Sequence, residues 1–179
     1  MGPDLRRGPA TAASGGRRAH PLPLRRGLRT TDGGDVLTGF RTSVDLPVPV
    51  EVAYAYLSDP RNRPEWQSSL RSVTVPAGEE PHLGQRWQET TTVGVRPRLE
   101  IVEMDPPHVW TERGWWRGVE ATLSLRFART PRGCRVDVSG DVGGRGAWRV
   151  PASVAGRLAG LAIAADVRRA GRILARRTD

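Results

Sequence analysis

Apolar and polar residues alternate most clearly in two stretches of the chain. Val119, Ala121, Leu123, Leu125 and Phe127 share one parity, as do Cys134, Val136 and Val138, while Glu120, Thr122, Ser124, Arg126, Arg135 and Asp137 take the other. A period of two puts one set on the core side of a strand and the other toward water. The same reading covers residues 36–48, with Phe40, Thr42, Val44 and Leu46 on one parity, and the stretches 70–75, 85–94, 96–105 and 108–116. Links between these later strands are short, at 78–84, 95–97, 106–107, 118 and 131–133. Short links favour an antiparallel meander.

The period changes in two places. Pro49 suits a first helical turn, and Val52, Ala55, Tyr56 and Leu57 follow at helical spacing, which predicts a short amphipathic helix. Ser58 and Asp59 then cap a second short helix with Pro60 in its first turn, and Pro64 is expected to cut it off or bend it. That turn carries Trp66 back toward the sheet and leaves Arg61 and Arg63 in water. The last segment, from Pro151 onward, predicts a helix of more than twenty residues. Val154, Leu158, Leu161 and Ala165 line one face of it, and Ile163, Val167, Ala170 and Leu174 an adjacent one. Arg168, Arg169, Arg172, Arg176 and Arg177 crowd its final turns, where the helix dipole is negative.

The resulting order is strand, two short helices, six strands and one long helix. This is an α+β layout in which a long antiparallel sheet curls around the C-terminal helix. A curled sheet and a helix need not fill the space between them, and such a space takes a small apolar ligand.

Composition alters the picture at one end. Residues 1–34 are rich in Gly, Pro, Ala and Arg, with four leucines and no Phe, Tyr or Trp. This segment buries too little to offset chain entropy and is expected to be a disordered tail ahead of a domain at 35–179. Its seven Arg face only Asp4 and Asp32. It reads either as an electrostatic anchor or as a spacer or upstream extension. All 28 basic residues are Arg, and with 21 Gly and 15 Pro this is the usage of a GC-rich genome. The net charge of +9 therefore argues only weakly for a nucleic-acid partner, and tail aromatics that would support one are missing. The lone Cys134 and the scattered His20, His82 and His108 share no metal-ligand spacing. No metal or cofactor is expected, nor an integral membrane segment, since no apolar run approaches the ~20 residues of a span. The Arg pairs lack the apolar stretch of an export signal, so a cytoplasmic location is expected.

No catalytic motif is present, and the Gly-rich 143–146 lacks the Lys-Ser/Thr of a phosphate loop. Trp87 and Glu89 share a parity, so a carboxylate accompanies Trp87 toward the interior. It is either a general acid or base with a raised pKa or an acid paired with an Arg. Arg113 is a second catalytic candidate, beside Glu112 and among Trp110, Trp115 and Trp116. Those rings either line a pocket for a flat ligand or fill the core. Parity puts Trp110 and Trp116 on one face and Trp115 on the other.

Four segments together, "VDLPVPVEVAYAYLSDPRNRPEWQ" (44–67), "LGQRWQET" (83–90), "EIVEMDPPHVWTERG" (100–114) and "GCRVDVSGDV" (133–142), closed by the terminal helix, resemble the START-like, or SRPBCC, superfamily. The strand ending in Pro, the D-P-x-x-x-P-x-W segment and the Asp-Pro-Pro after a strand are similar to its bacterial polyketide cyclase/dehydrase-like members. The resemblance covers about 35–179. It implies the helix-grip fold, with about seven strands, and a cavity for a hydrophobic small molecule such as a lipid, a polyketide or an isoprenoid, or else a cyclase/dehydrase-like enzyme using the same cavity. Trp66, Trp87, Glu89, Trp110, Leu123, Leu125, Val136 and Leu161 are the residues expected to meet that ligand.

Overall fold

The computed structural model describes the backbone of residues 30–31 and 35–178, and the side chains of 38–148 and 159–177. One sheet holds β1 (Thr30–Thr31), β2 (Asp35–Leu46), β3 (Leu70–Thr74), β4 (Arg86–Thr91), β5 (Arg98–Asp105), β6 (Val109–Trp116), β7 (Val119–Thr130) and β8 (Gly133–Gly144). Between β2 and β3 come helix α1 (Val50–Leu57), a 3-10 turn (Pro60–Asn62) and the one-turn helix α2 (Arg63–Trp66). A second 3-10 turn (Gly146–Trp148) leads into α3 (Arg149–Thr178).

Across the sheet the order is β1-β2-β8-β7-β6-β5-β4-β3, with every neighbouring pair antiparallel. β3 to β8 are the meander that the short links call for, and β2 closes on β8 from Val36 opposite Gly144 to Leu46 opposite Cys134. The result is the α+β helix-grip arrangement: seven long strands curled around the C-terminal helix. The two-residue β1 adds a pair against Val36 and Asp35. It lies inside the segment assigned to the tail, the rest of which (1–29 and 32–34) is outside the described residues.

The strand parities behave as alternation dictates. Leu125, Phe127, Cys134, Val136 and Val138 are buried, and Ile163, Val167, Ala170 and Leu174 of α3 join them in one core. Two glycines let α3 approach β2 closely. A Cβ at Gly171 would stand 2.7 Å from Leu46 Cδ2, and one at Gly160 would stand 3.0 Å from Phe40 Cβ. Either contact is tighter than ordinary packing allows.

α1 departs from the expected face. It buries Val50, Ala53, Tyr54, Tyr56 and Leu57, whereas Val52 is 40 % exposed. Val50, Ala53, Tyr54 and Leu57 form the i, i+3, i+4, i+7 stripe of a helix laid on a sheet, and Tyr54 meets the ring of Phe127 edge-on at 5.3 Å.

The segment from Asp59 to Trp66 also corrects the sequence reading. Asp59 caps as expected, its Oδ1 accepting the Arg61 backbone N–H at 2.9 Å. Pro64 does not end the segment; it sits at the second position of α2, where no intrahelical N–H partner is lost. That extra turn swings Trp66 fully inward, to 1 % exposure. It also moves Arg63 out of water: Arg61 stays exposed beside Asp59 and Glu80, but Arg63 is only 2 % exposed.

Trp66 is thus a core ring. We expect Trp66→Ala to cost about 3–5 kcal/mol in denaturant unfolding. A loss under about 1 kcal/mol would contradict its assignment as core.

Candidate functional site

Sheet and α3 do not fill the space between them. A cavity of about 370 Å³ lies there, walled by Phe40 of β2, Leu99 of β5, Trp115 and Trp116 of β6, Val119, Ala121 and Leu123 of β7, Val142 of β8 and Ala159, Ala162 and Ile163 of α3. Val95 and Pro97, from the β4–β5 hairpin, complete the apolar lining. Small side chains on α3 and β7 explain the space: alanines stand where larger residues would reach across.

One end of the cavity is polar. It is lined by Arg63 and Gln67 of the α2 segment, Ser69, Glu89 of β4, Glu112 of β6 and Asp166 of α3. Arg63 and both glutamates have side chains at most 5 % exposed. The Arg63 Nε lies 3.1 Å from Glu89 Oε1, and one terminal nitrogen donates to Glu112 Oε2. Gln67 Oε1 accepts from Arg63 Nε at 2.9 Å and from its other terminal nitrogen at 2.8 Å. Glu89 Oε1 also accepts from Trp87 Nε1 at 3.2 Å, and Asp166 Oδ1 accepts the Ser68 backbone N–H at 3.1 Å.

These charges control one another. Burial pushes the Glu112 carboxyl up to about 7, with the neighbouring Glu89 adding to the rise and Arg63 opposing it. Burial works against the charge on Arg63, yet Glu112 and Glu89 outweigh it and hold the guanidinium above its ordinary pKa. A carboxyl poised near neutrality next to a fixed cation can carry a proton.

The expected site residues separate into three groups. Glu89 and Leu123 line the cavity. Trp66, Trp87, Trp110, Leu125 and Val136 are buried in the core rather than on the cavity wall, with Trp87 and Trp110 packed at 6.3 Å. Leu161 and Arg113 point away: Leu161 is 77 % exposed, and Arg113 pairs with Glu120 at the surface. Leu161 loses its place because the stripe through Ile163, Val167 and Leu174 is the one that meets the sheet. Trp115 and Trp116 both reach the cavity despite their opposite parities, and Trp116 stacks edge-on against Trp148 at 5.1 Å.

Sequence reasoning missed Arg63 and Glu112. Glu112 was reachable, because it shares the parity of Trp110 two residues before it. Arg63 carried no local signal. Elsewhere, burial pushes the Cys134 thiol up to about 11, which keeps it protonated and unreactive. Among the described residues no group of three His, Cys, Asp or Glu side chains is placed to hold a metal ion, and no helix is long and apolar enough to cross a membrane.

The sequence profile of the family described as "Polyketide cyclase / dehydrase and lipid transport" matches residues 38–178. No curated protein matches the chain. Among solved structures, the protein MLL2253 of Mesorhizobium loti is 16 % identical with a TM-score of 0.61, over 79 % of this chain and 98 % of its own. The di-domain ARO/CYC StfQ from the steffimycin biosynthetic pathway is 16 % identical with a TM-score of 0.62, over 79 % of this chain and 52 % of its own. Ara h 8.0201 is 11 % identical with a TM-score of 0.59, over 77 % of this chain and 97 % of its own. At these identities the likeness is one of fold.

Two outcomes test the ion cluster. Arg63→Met leaves two buried glutamates without their cation and should cost about 3–5 kcal/mol. A carboxyl whose pKa is raised on folding holds its proton more tightly in the native state, so its contribution is full below the ordinary value of 4.5 and is lost as pH rises through about 7. Urea unfolding should therefore show stability falling between about pH 5 and 8 by roughly 1–3 kcal/mol, and Glu112→Gln should flatten that slope. An unchanged slope in the variant would refute the assignment.

Proposed function

The chain belongs to the polyketide cyclase/dehydrase and lipid transport family, and we propose that it encloses a hydrophobic small molecule between the curled sheet and α3. The observation that carries this reading is the cavity itself: about 370 Å³, apolar along its length and closed at one end by the Arg63–Glu89–Glu112 cluster. That volume falls within the range of small-molecule sites, and few polar groups converging on an apolar pocket is their usual make-up. A ligand with an apolar, flat or branched body would bury it against Leu99, Trp116, Leu123 and Ile163. Its polar end would reach the ion cluster. Lipids, isoprenoids and aromatic polyketides all meet that description.

A second reading is favoured by one observation, the Glu112 carboxyl pushed up to about 7 beside a buried guanidinium. A cyclase- or dehydrase-like reaction on a polyketone removes a proton next to a carbonyl and stabilises the enolate oxygen. Glu112 would take and return the proton, Arg63 would face the developing negative charge, and Glu89 would hold Arg63 in place. Trp115, Trp116 and Leu123 would fix the fold of the reacting chain, since orientation supplies much of the acceleration in cyclisations. The steffimycin-pathway protein supports this by likeness of fold alone.

Thermal unfolding of the full chain with fatty alcohols, isoprenoid alcohols and aromatic polyketides tests the first reading. At about 100 Kd of a true ligand the midpoint should rise by roughly 5 °C or more. Ala121→Trp, which fills the cavity, should abolish that rise while keeping the far-UV spectrum. Failure of every compound to raise the midpoint would overturn ligand binding. For the second reading, Glu112→Gln should lower turnover of a polyketone substrate by about 10²–10⁴. Unchanged turnover would remove it.

A further inference from the structure

The cavity holds more negative than positive side chains. Its four charged lining groups come from four elements: Arg63 from α2, Glu89 from β4, Glu112 from β6 and Asp166 from α3. All four residues are buried. Three of the five Arg63 N–H donors are already committed to protein acceptors. Its Nε faces Gln67 Oε1 at 2.9 Å and Glu89 Oε1 at 3.1 Å, one terminal nitrogen donates to Glu112, and the other donates to Gln67 at 2.8 Å. The cation is therefore already paired with Glu89 and Glu112, and Asp166 makes a third carboxylate at this end of the apolar pocket.

A ligand carboxylate entering this end would stand among like charges in a medium that screens poorly. A ligand ammonium is the opposite case. It has three N–H donors and no acceptor, which suits a pocket end whose lining includes Glu89, Glu112 and Asp166. From this geometry we infer that the cavity selects a cationic amphiphile, an apolar body bearing a protonated amine, over a neutral alcohol and over a fatty-acid-like anion. The inference rests on the cavity being the ligand site, and it names the head-group chemistry which that site accepts. Asp166 is the group most available to the amine. Its charge supports Arg63 without a direct ion pair, and its Oδ1 accepts the Ser68 backbone N–H at 3.1 Å.

Dodecylamine, dodecanol and dodecanoate share one chain and differ only in the head group. Each is titrated calorimetrically into the full-length protein at pH 7.5, below its micelle concentration, with Ala121→Trp as the control that must lose cavity binding. We expect dodecylamine to bind at least about tenfold more tightly than dodecanoate, a difference of about 1.4 kcal/mol, with dodecanol between them. Asp166→Asn keeps an acceptor for the Ser68 N–H and should reduce the amine preference several-fold. If that variant does not fold, the wild-type ranking decides alone. Dodecanoate binding as tightly as dodecylamine, with dodecanol also bound, would overturn the head-group inference and leave the ligand site standing. Absence of binding by all three, or equal binding by Ala121→Trp, would overturn both.

Discussion

Arg63 stands in a dry interior, and the arrangement around it follows from that. A guanidinium cannot give up its proton, so once it leaves water it needs anions and acceptors on several sides. Glu89, Glu112 and Gln67 supply them, from two strands and the turn after α2. Trp87 in turn holds Glu89 through its indole N–H. The cluster ties the short-helix segment to the middle of the sheet. It also fixes where the cavity ends and what chemistry that end presents.

The rest of the fold divides between holding and leaving room. The C-terminal half of α3 packs tightly, with Val167, Ala170 and Leu174 in the core and Gly171 admitting Leu46. Around residues 159–166 the same helix presents Ala159, Ala162 and Ile163 to open space. Trp66, Trp87 and Trp110 lie beneath the polar end as packing, while Trp115 and Trp116 form part of the wall. The tryptophans that drew attention in the sequence thus serve two purposes, and β6 faces the cavity from Glu112 onward, with Glu112 at its polar end and Trp115 and Trp116 on its apolar wall.

The fold was legible because its signals are local. Alternation in β7 and β8 is strict where one face meets water, the links are too short for crossovers, and the last helix is long enough to see by period alone. The site was legible only in part. Glu89 and Leu123 follow from parity, and Glu112 would have followed from the same rule applied at Trp110. Arg63 sits between two prolines and near a second arginine, a setting that reads as surface. Its burial is decided by a partner 49 residues away in the chain. Leu161 misled for a different reason: an alanine-rich helix has two adjacent apolar stripes, and only packing chooses between them. Arg113 misled because its neighbours are aromatic, although its parity is the outward one.

The central claim is that an apolar ligand lies between sheet and helix with its polar end at the ion cluster. A crystal structure of the full-length protein with a bound ligand tests it most directly. The account predicts the ligand body between Leu99, Leu123 and Ile163, and a polar atom within hydrogen-bond distance of Glu112 or Asp166. A ligand on the outer face of the sheet, or a cavity closed by its own side chains with Arg63 turned out to solvent, would contradict it.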